Sequence, residues 1–105
     1  MKNLADIMKQ AQQLQGRMES MHAELEAAEV EGRAGGGLVV VVMSGKGAVK
    51  KVSIDPGLMK EDEREILEDL IVAAAADAKH KAEALAAEKM KSVAGGLPIP
   101  PGFGL

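Results

Sequence analysis

An α+β fold, ordered helix–strand–strand–strand–helix around a small antiparallel sheet, is predicted by three features of the sequence. A heptad pattern occupies the first quarter of the chain, a run of β-branched residues follows a triple glycine, and a long stretch rich in Ala, Leu, Glu and Lys comes next. The length of 105 residues argues for one domain, over residues 1–94, with a Pro/Gly-rich C-terminal tail at 95–105. With one Phe and neither Tyr nor Trp, the core must be assembled from Leu, Ile, Val, Met and Ala. Side chains of that size make a modest core, which favours spreading it across a subunit interface.

Leu4, Ile7, Ala11, Leu14, Met18, Met21, Leu25 and Ala28 recur at alternating spacings of three and four. This heptad, with Leu4, Ala11, Met18 and Leu25 at a, predicts a helix over about 3–29. Such a helix is ~40 Å long, longer than a domain of this size is wide, so part of it projects or lies against another subunit. Its seam packs on the chain's own sheet or on a partner. Gly16 interrupts it at a cost of about 1 kcal/mol relative to Ala.

From Val30 the period changes. Gly35-Gly36-Gly37 frees the backbone for a turn, and Leu38-Val39-Val40-Val41-Val42-Met43 is apolar on both faces of a strand. Ser44-Gly45-Lys46-Gly47 reads as a hairpin turn into a return strand over 48–54, and residues near 27–34 supply the preceding strand. A strand apolar on both faces needs a second cover, because left bare it is an aggregation hazard. The expected cover is a second copy of the chain, making Leu38, Val39, Val40, Val41, Val42 and Met43 the expected homodimer interface. Asp55-Pro56-Gly57 ends the sheet, and a second helix is predicted from about Glu61 to Val93, with Ile66, Leu67, Leu70, Ile71 and Ala74 as its buried stripe. Acids gather early and lysines late on this helix, which complements its dipole. The alanines at 73–76 and 78 predict close backbone approach. The tail, LPIPPGFGL, is either mobile or docked in extended form through Leu97, Ile99 and Phe103.

Catalytic readings find no support. Without Cys there is no disulfide framework, thiol nucleophile or zinc–cysteine site. His22 and His80 fall on different helices with no acid–base partner. Lys46 is followed by Gly rather than Ser or Thr, so the hairpin turn is not a phosphate loop, and the triple glycine is a strand-entry turn rather than a dinucleotide fingerprint. The acids at the start of the second helix read as capping and solubility rather than metal binding. No apolar run approaches the ~18 residues of a membrane span, and the N-terminus lacks a signal-peptide pattern. The expectation is a non-enzymatic intracellular protein with no cofactor, membrane association or small-molecule substrate.

The formal net charge is -3, so any role on nucleic acid needs cations gathered on one face. Lys2 and Lys9 share heptad position f, opposite the seam, with Arg17 close by at g. Lys79, Lys81, Lys89 and Lys91 form a second basic region late on the second helix. Gln10, Gln12, Gln13 and Gln15 add uncharged donors beside the first group.

Several segments resemble, in order, those of the YbaB/EbfC family of bacterial nucleoid-associated proteins: NLADIMKQAQQLQ (3–15), EVEGRAGGGLVVVV (29–42), KKVSIDPGLM (50–59), EILEDLIVAAAADA (65–78) and the tail. VSIDP (52–56), LEDLIVAA (67–74) and PPGF (100–103) carry the resemblance most strongly. It implies a tweezer-like homodimer with protruding helices that binds double-stranded DNA in the cytoplasmic nucleoid, without catalysis and with effects on gene expression. A basic pair common in the family falls on His80-Lys81, which adds His80 to the expected DNA contacts. The family's frequent Phe-Asn is replaced by Ala75-Ala76, which thins the core, and a frequent basic position falls on Val40. The rival reading is a helical protein–protein interaction module, which the heptad helix would serve if Ile7, Leu14 and Met21 stayed exposed.

Overall fold

In a computed structural model that describes residues 3–95, the elements follow the expected order: α1 (Leu4–Ala27), β1 (Glu29–Ala34), β2 (Val39–Ser44), β3 (Val49–Ile54) and α2 (Arg64–Ala94). The expected tail and Lys2 lie outside the described residues. Glu61–Glu63, expected as the first turn of the second helix, form a separate 3-10 turn before it.

Local chemistry accounts for the boundaries. The Asn3 side chain caps α1 by accepting from the Asp6 N–H at 2.9 Å. At the β2–β3 turn the buried Ser44 hydroxyl accepts from the Lys46 and Ala48 N–H groups at 3.2 and 3.1 Å. Asp55 accepts from the Gly57 N–H at 2.9 Å and closes the turn after β3. The sheet is an antiparallel meander in the order β1-β2-β3. Its register is regular except at Val42/Met43, where Lys51 opposes Val42 but Val49 opposes Met43. Lys50 is therefore the extra residue of a bulge, a feature with no marker in the sequence.

α2 packs along β1 and β2. Val39, Val41 and Met43 point toward it and are buried, as are Ala74, Ala78 and Ala82 on the helix. Fully burying a valine contributes about 1.5–3 kcal/mol. Leu67, Leu70 and Ile71 are half-buried in the same stripe. Ile66, expected there, is 50% exposed, because it lies about 100° round the helix from Leu67. The alanine face lets the α2 backbone come down onto Gly32 of β1. A Cβ on Gly32 would collide with the Ala74 carbonyl oxygen and the Ala78 nitrogen. The end of α1 is fastened in a similar way: the Gly45 N–H donates to the Leu25 carbonyl at 2.8 Å, and a Cβ on Gly45 would meet that oxygen at 2.7 Å.

Beyond the sheet, α1 and α2 pack on each other through a second cluster of Met21, Leu25 and Val93, flanked by Leu14, Met18, Leu85, Ala86 and Met90. Half of the heptad seam is thus satisfied within the chain. Leu4 and Ile7 stay 71% and 53% exposed, on the part of α1 that precedes this contact. The result is a body with a projecting two-helix arm, 71 × 24 × 16 Å overall.

The close approach predicts opposite responses at two glycines. Gly32→Ala should destabilise by about 3 kcal/mol or more, since two backbones must separate. Gly16→Ala, with open space around it in mid-helix, should stabilise by about 0.5–1 kcal/mol. Urea unfolding of the two variants measures both.

Candidate nucleic-acid interface

The cations singled out from the sequence fall into three settings. Lys9 and Arg17 are exposed on α1, and Lys91 is exposed near the end of α2. Arg17 and Lys89 are brought together across the α1–α2 seam, where they line a cleft of about 340 Å³ with Ser20, Glu24 and Ser92. Within it Lys89 pairs with Glu24 at 3.3 Å. Arg17, Ser20, Lys89 and Ser92 therefore present donors on one surface, as phosphate recognition requires. Nothing in the sequence marks the two serines, since only the antiparallel packing of the helices sets them beside the cations.

Lys81 has a different role. Its Nζ donates to the Glu31 carbonyl at 2.8 Å and pairs with Asp77 at 3.1 Å. Asp77 in turn accepts from the Arg33 N–H at 3.0 Å. These two α2 side chains thus cap a donor and an acceptor on the outer edge of β1. The Arg33 N–H, and then the Lys81 ammonium, hold the Asp77 carboxyl below its ordinary value of 3.8. The His80 and Lys79 side chains are exposed on neighbouring positions of the helix. Lys79 lies with Lys46 and His22 at a second cleft, floored by Met21, Leu25, Ala82, Ala86 and Met90.

The residues expected at the dimer interface are divided by the strand's alternation. Val39, Val41 and Met43 are already covered by α2. Val40 and Val42 are half-buried on the opposite face, across from Arg33 and Ser53 and from Glu31 and Lys51. Leu38 precedes β2 and is 39% exposed. Val49 and Val52 of β3 also remain exposed, because α2 covers β1 and β2 only. Nothing in the local sequence marks Val49 and Val52 as uncovered, because that depends on where α2 lies.

A model of the YbaB/EbfC DNA-binding family matches residues 1–97. Over its full 105 residues the chain is 58% identical to a nucleoid-associated protein of Rhodopseudomonas palustris (strain TIE-1), covering 99% of that protein. It is 53% identical over the same span to a nucleoid-associated protein of Agrobacterium fabrum, covering 98%. The fold is similar to that of the crystal structure of an uncharacterised Helicobacter pylori protein. There the TM-score is 0.73 at 18% identity, over 91% of this chain and 97% of that one.

The Asp77 clamp predicts an acid-dependent stability. Its carboxyl titrates lower in the folded chain than in the unfolded one, so its contribution is complete above about pH 4 and is lost as pH falls through the folded value. The difference in urea midpoint between the parent and Asp77→Asn should be constant from neutral pH down to about 4 and shrink below it.

Proposed function

As this chain belongs to the YbaB/EbfC DNA-binding family, we propose that it is a non-catalytic, nucleoid-associated protein of the cytoplasm. In this reading it grips double-stranded DNA as a homodimer and thereby influences nucleoid organisation and gene expression. The observation that carries the reading is the projecting arm, on which Lys9, Arg17, Lys89 and Lys91 are set apart from the acidic start of α2. Two such arms related by a two-fold axis would hold the duplex backbone, with counterion release supplying most of the affinity. Glu61, Asp62 and Glu63 in the turn before α2, with Glu65, Glu68 and Asp69 in its first turns, lie at the end of the molecule away from the arm and repel phosphate there. The arms carry no aromatic residue among the described residues, so they offer nothing for unpaired bases to stack on, and duplex is the fitting substrate. Lys81, held by Asp77 and the Glu31 carbonyl, contributes less than the arm cations.

The copy-to-copy contact is proposed on the β3 side. Asp77 and Lys81 block the outer edge of β1, whereas no hydrogen bond reaches the outer edge of β3 among the described residues. Val49 and Val52 lie beside that open edge, 57% and 42% exposed. A free edge with adjacent apolar surface is what a second strand covers. Of the residues expected from the sequence, Leu38, Val40 and Val42 retain surface, with Val40 and Val42 on the sheet face opposite Val49 and Val52.

Fluorescence anisotropy with a labelled duplex of about 30 base pairs tests the DNA reading. Log affinity should fall linearly with log salt, by about 0.9 per phosphate contact. Lys9→Glu with Arg17→Glu should abolish binding and leave the circular dichroism spectrum unchanged, and undiminished affinity would refute the arm model. Val52→Lys should convert the dimer to monomers in sedimentation, whereas Val72→Lys, at a more exposed apolar site on α2, should leave it intact and serves as the comparison. A folded protein that binds no duplex at low salt would favour the interaction-module reading, although of its three expected positions Ile7 alone stays exposed, Met21 being buried and Leu14 half-buried against α2.

A further inference from the structure

The cleft of about 340 Å³ across the α1–α2 seam is lined by three donors that are uncommitted and one that is taken. Arg17 pairs with no carboxylate among the described residues, and no hydrogen bond engages the hydroxyls of Ser20 and Ser92 there. The ammonium of Lys89, by contrast, stands 3.3 Å from the Glu24 carboxylate. Helical spacing gathers these groups. Arg17, Ser20 and Glu24 follow at three and four residues on α1, and Lys89 and Ser92 at three on α2, so each set shares one helix face. Among the described residues Glu24 is the single acid lining the cleft, set into a group of donors that otherwise suits a phosphate.

We propose that Glu24 is an internal competitor for this phosphate seat: it occupies Lys89 in the free protein, and a DNA phosphate gains that ammonium only by displacing it. Resting on the DNA reading above, this assignment makes Glu24 the residue that sets the strength of the contact across the seam. A carboxylate and a phosphate oxygen both take a charge-assisted hydrogen bond from an ammonium, so they compete for the same group. Brought to it together, the two anions repel each other at close range. The pair is also able to yield. The Glu24 side chain is 57% exposed and that of Lys89 37%, and an ion pair so open to water is a weak one.

The exchange has an ionic signature. When Lys89 moves from Glu24 to phosphate, the DNA sheds a condensed cation while the freed carboxylate attracts one from solution. The Lys89 contact therefore adds almost nothing to the salt dependence of the parent, although it would count as a full contact were Glu24 uncharged. Glutamine at position 24 makes that comparison cleanly. It keeps the length of the side chain and an oxygen that can accept from Lys89, so the charge is removed and the partner is not.

Duplex binding by fluorescence anisotropy, in a cycle of Glu24→Gln and Lys89→Gln on the full chain, tests the proposal. Glu24→Gln should tighten binding by about threefold to fivefold at low salt and steepen the log–log salt slope by about 0.9. Lys89→Gln should cost less than about twofold in the parent and about threefold to fivefold in the Glu24→Gln background. Glu19→Gln, at an exposed acid on α1 that lines neither this cleft nor the one beside the β2–β3 turn, reports the effect of net charge alone and should leave the slope unchanged. Circular dichroism should be the same for all variants. An equal cost of Lys89→Gln in both backgrounds, or a gain from Glu24→Gln no larger than that from Glu19→Gln, overturns the proposal and leaves the DNA reading standing. A greater cost of Lys89→Gln in the parent would make Glu24 the residue that positions Lys89, and overturns it as well. If neither the parent nor Glu24→Gln binds duplex at low salt, the DNA reading falls and the proposal falls with it.

Discussion

The contact between the alanine face of α2 and Gly32 of β1 sets the geometry of everything else in this protein. Ala74 and Ala78 allow the helix backbone to descend onto a strand residue that has no side chain, and both alanines are completely buried there. Large side chains at these positions would lift the helix off the sheet. The alanines on this face of α2 are therefore a fit to the packing distance. The valines of β2 that face the helix fill the remaining depth, and Leu58, from the turn before α2, closes the end.

Two consequences follow from where the helix lands. Lying over β1 and β2, it carries Asp77 and Lys81 to the outer edge of β1 and satisfies backbone groups that would otherwise invite pairing with another chain. The same placement leaves β3 without a cover over Val49 and Val52. One edge is closed and the other open, an asymmetry that gives the proposed homodimer a single place to form. The bulge at Lys50 is a local matter by comparison: it frees that ammonium to pair with Glu29 at 3.6 Å.

A third consequence is the arm. α2 is 31 residues long and the sheet strands are six, so the helix must run past the body, and α1 folds back along it. Their seam is apolar, from Leu14 and Met18 through Met21 and Leu25, and its margin is charged. A chain with a formal net charge of -3 thereby places a predominantly acidic cluster at the body end of α2, while the arm carries both signs, with Lys9, Arg17, Lys89 and Lys91 among Asp6, Glu19, Glu24, Glu26, Glu83 and Glu88. A phosphate backbone would therefore have to meet the local grouping of Arg17 and Lys89 across the seam rather than the arm as a whole.

Local periodicity made the elements legible. The heptad from Leu4 to Ala28, the valine run and the Asp55-Pro56-Gly57 stop each encode a structure within a few neighbouring residues, so the order helix–strand–strand–strand–helix and the family resemblance could be read directly. The outward position of Lys9 and Arg17 was legible for the same reason, being a property of one helix. What only the tertiary structure decided are the relations between distant segments. Ile66 was assigned to the wrong side of its helix because the direction of the sheet is not written in the helix's own period. Lys81 reads as a surface cation until β1 is placed beside it, and Arg17 and Lys89 read as separate until two helices pair. Likewise the valines of β2 were all offered to a partner, although half of them belong to the chain's own core. In each case the deciding interaction joins residues far apart in sequence, and its strength depends on a distance that no local pattern contains.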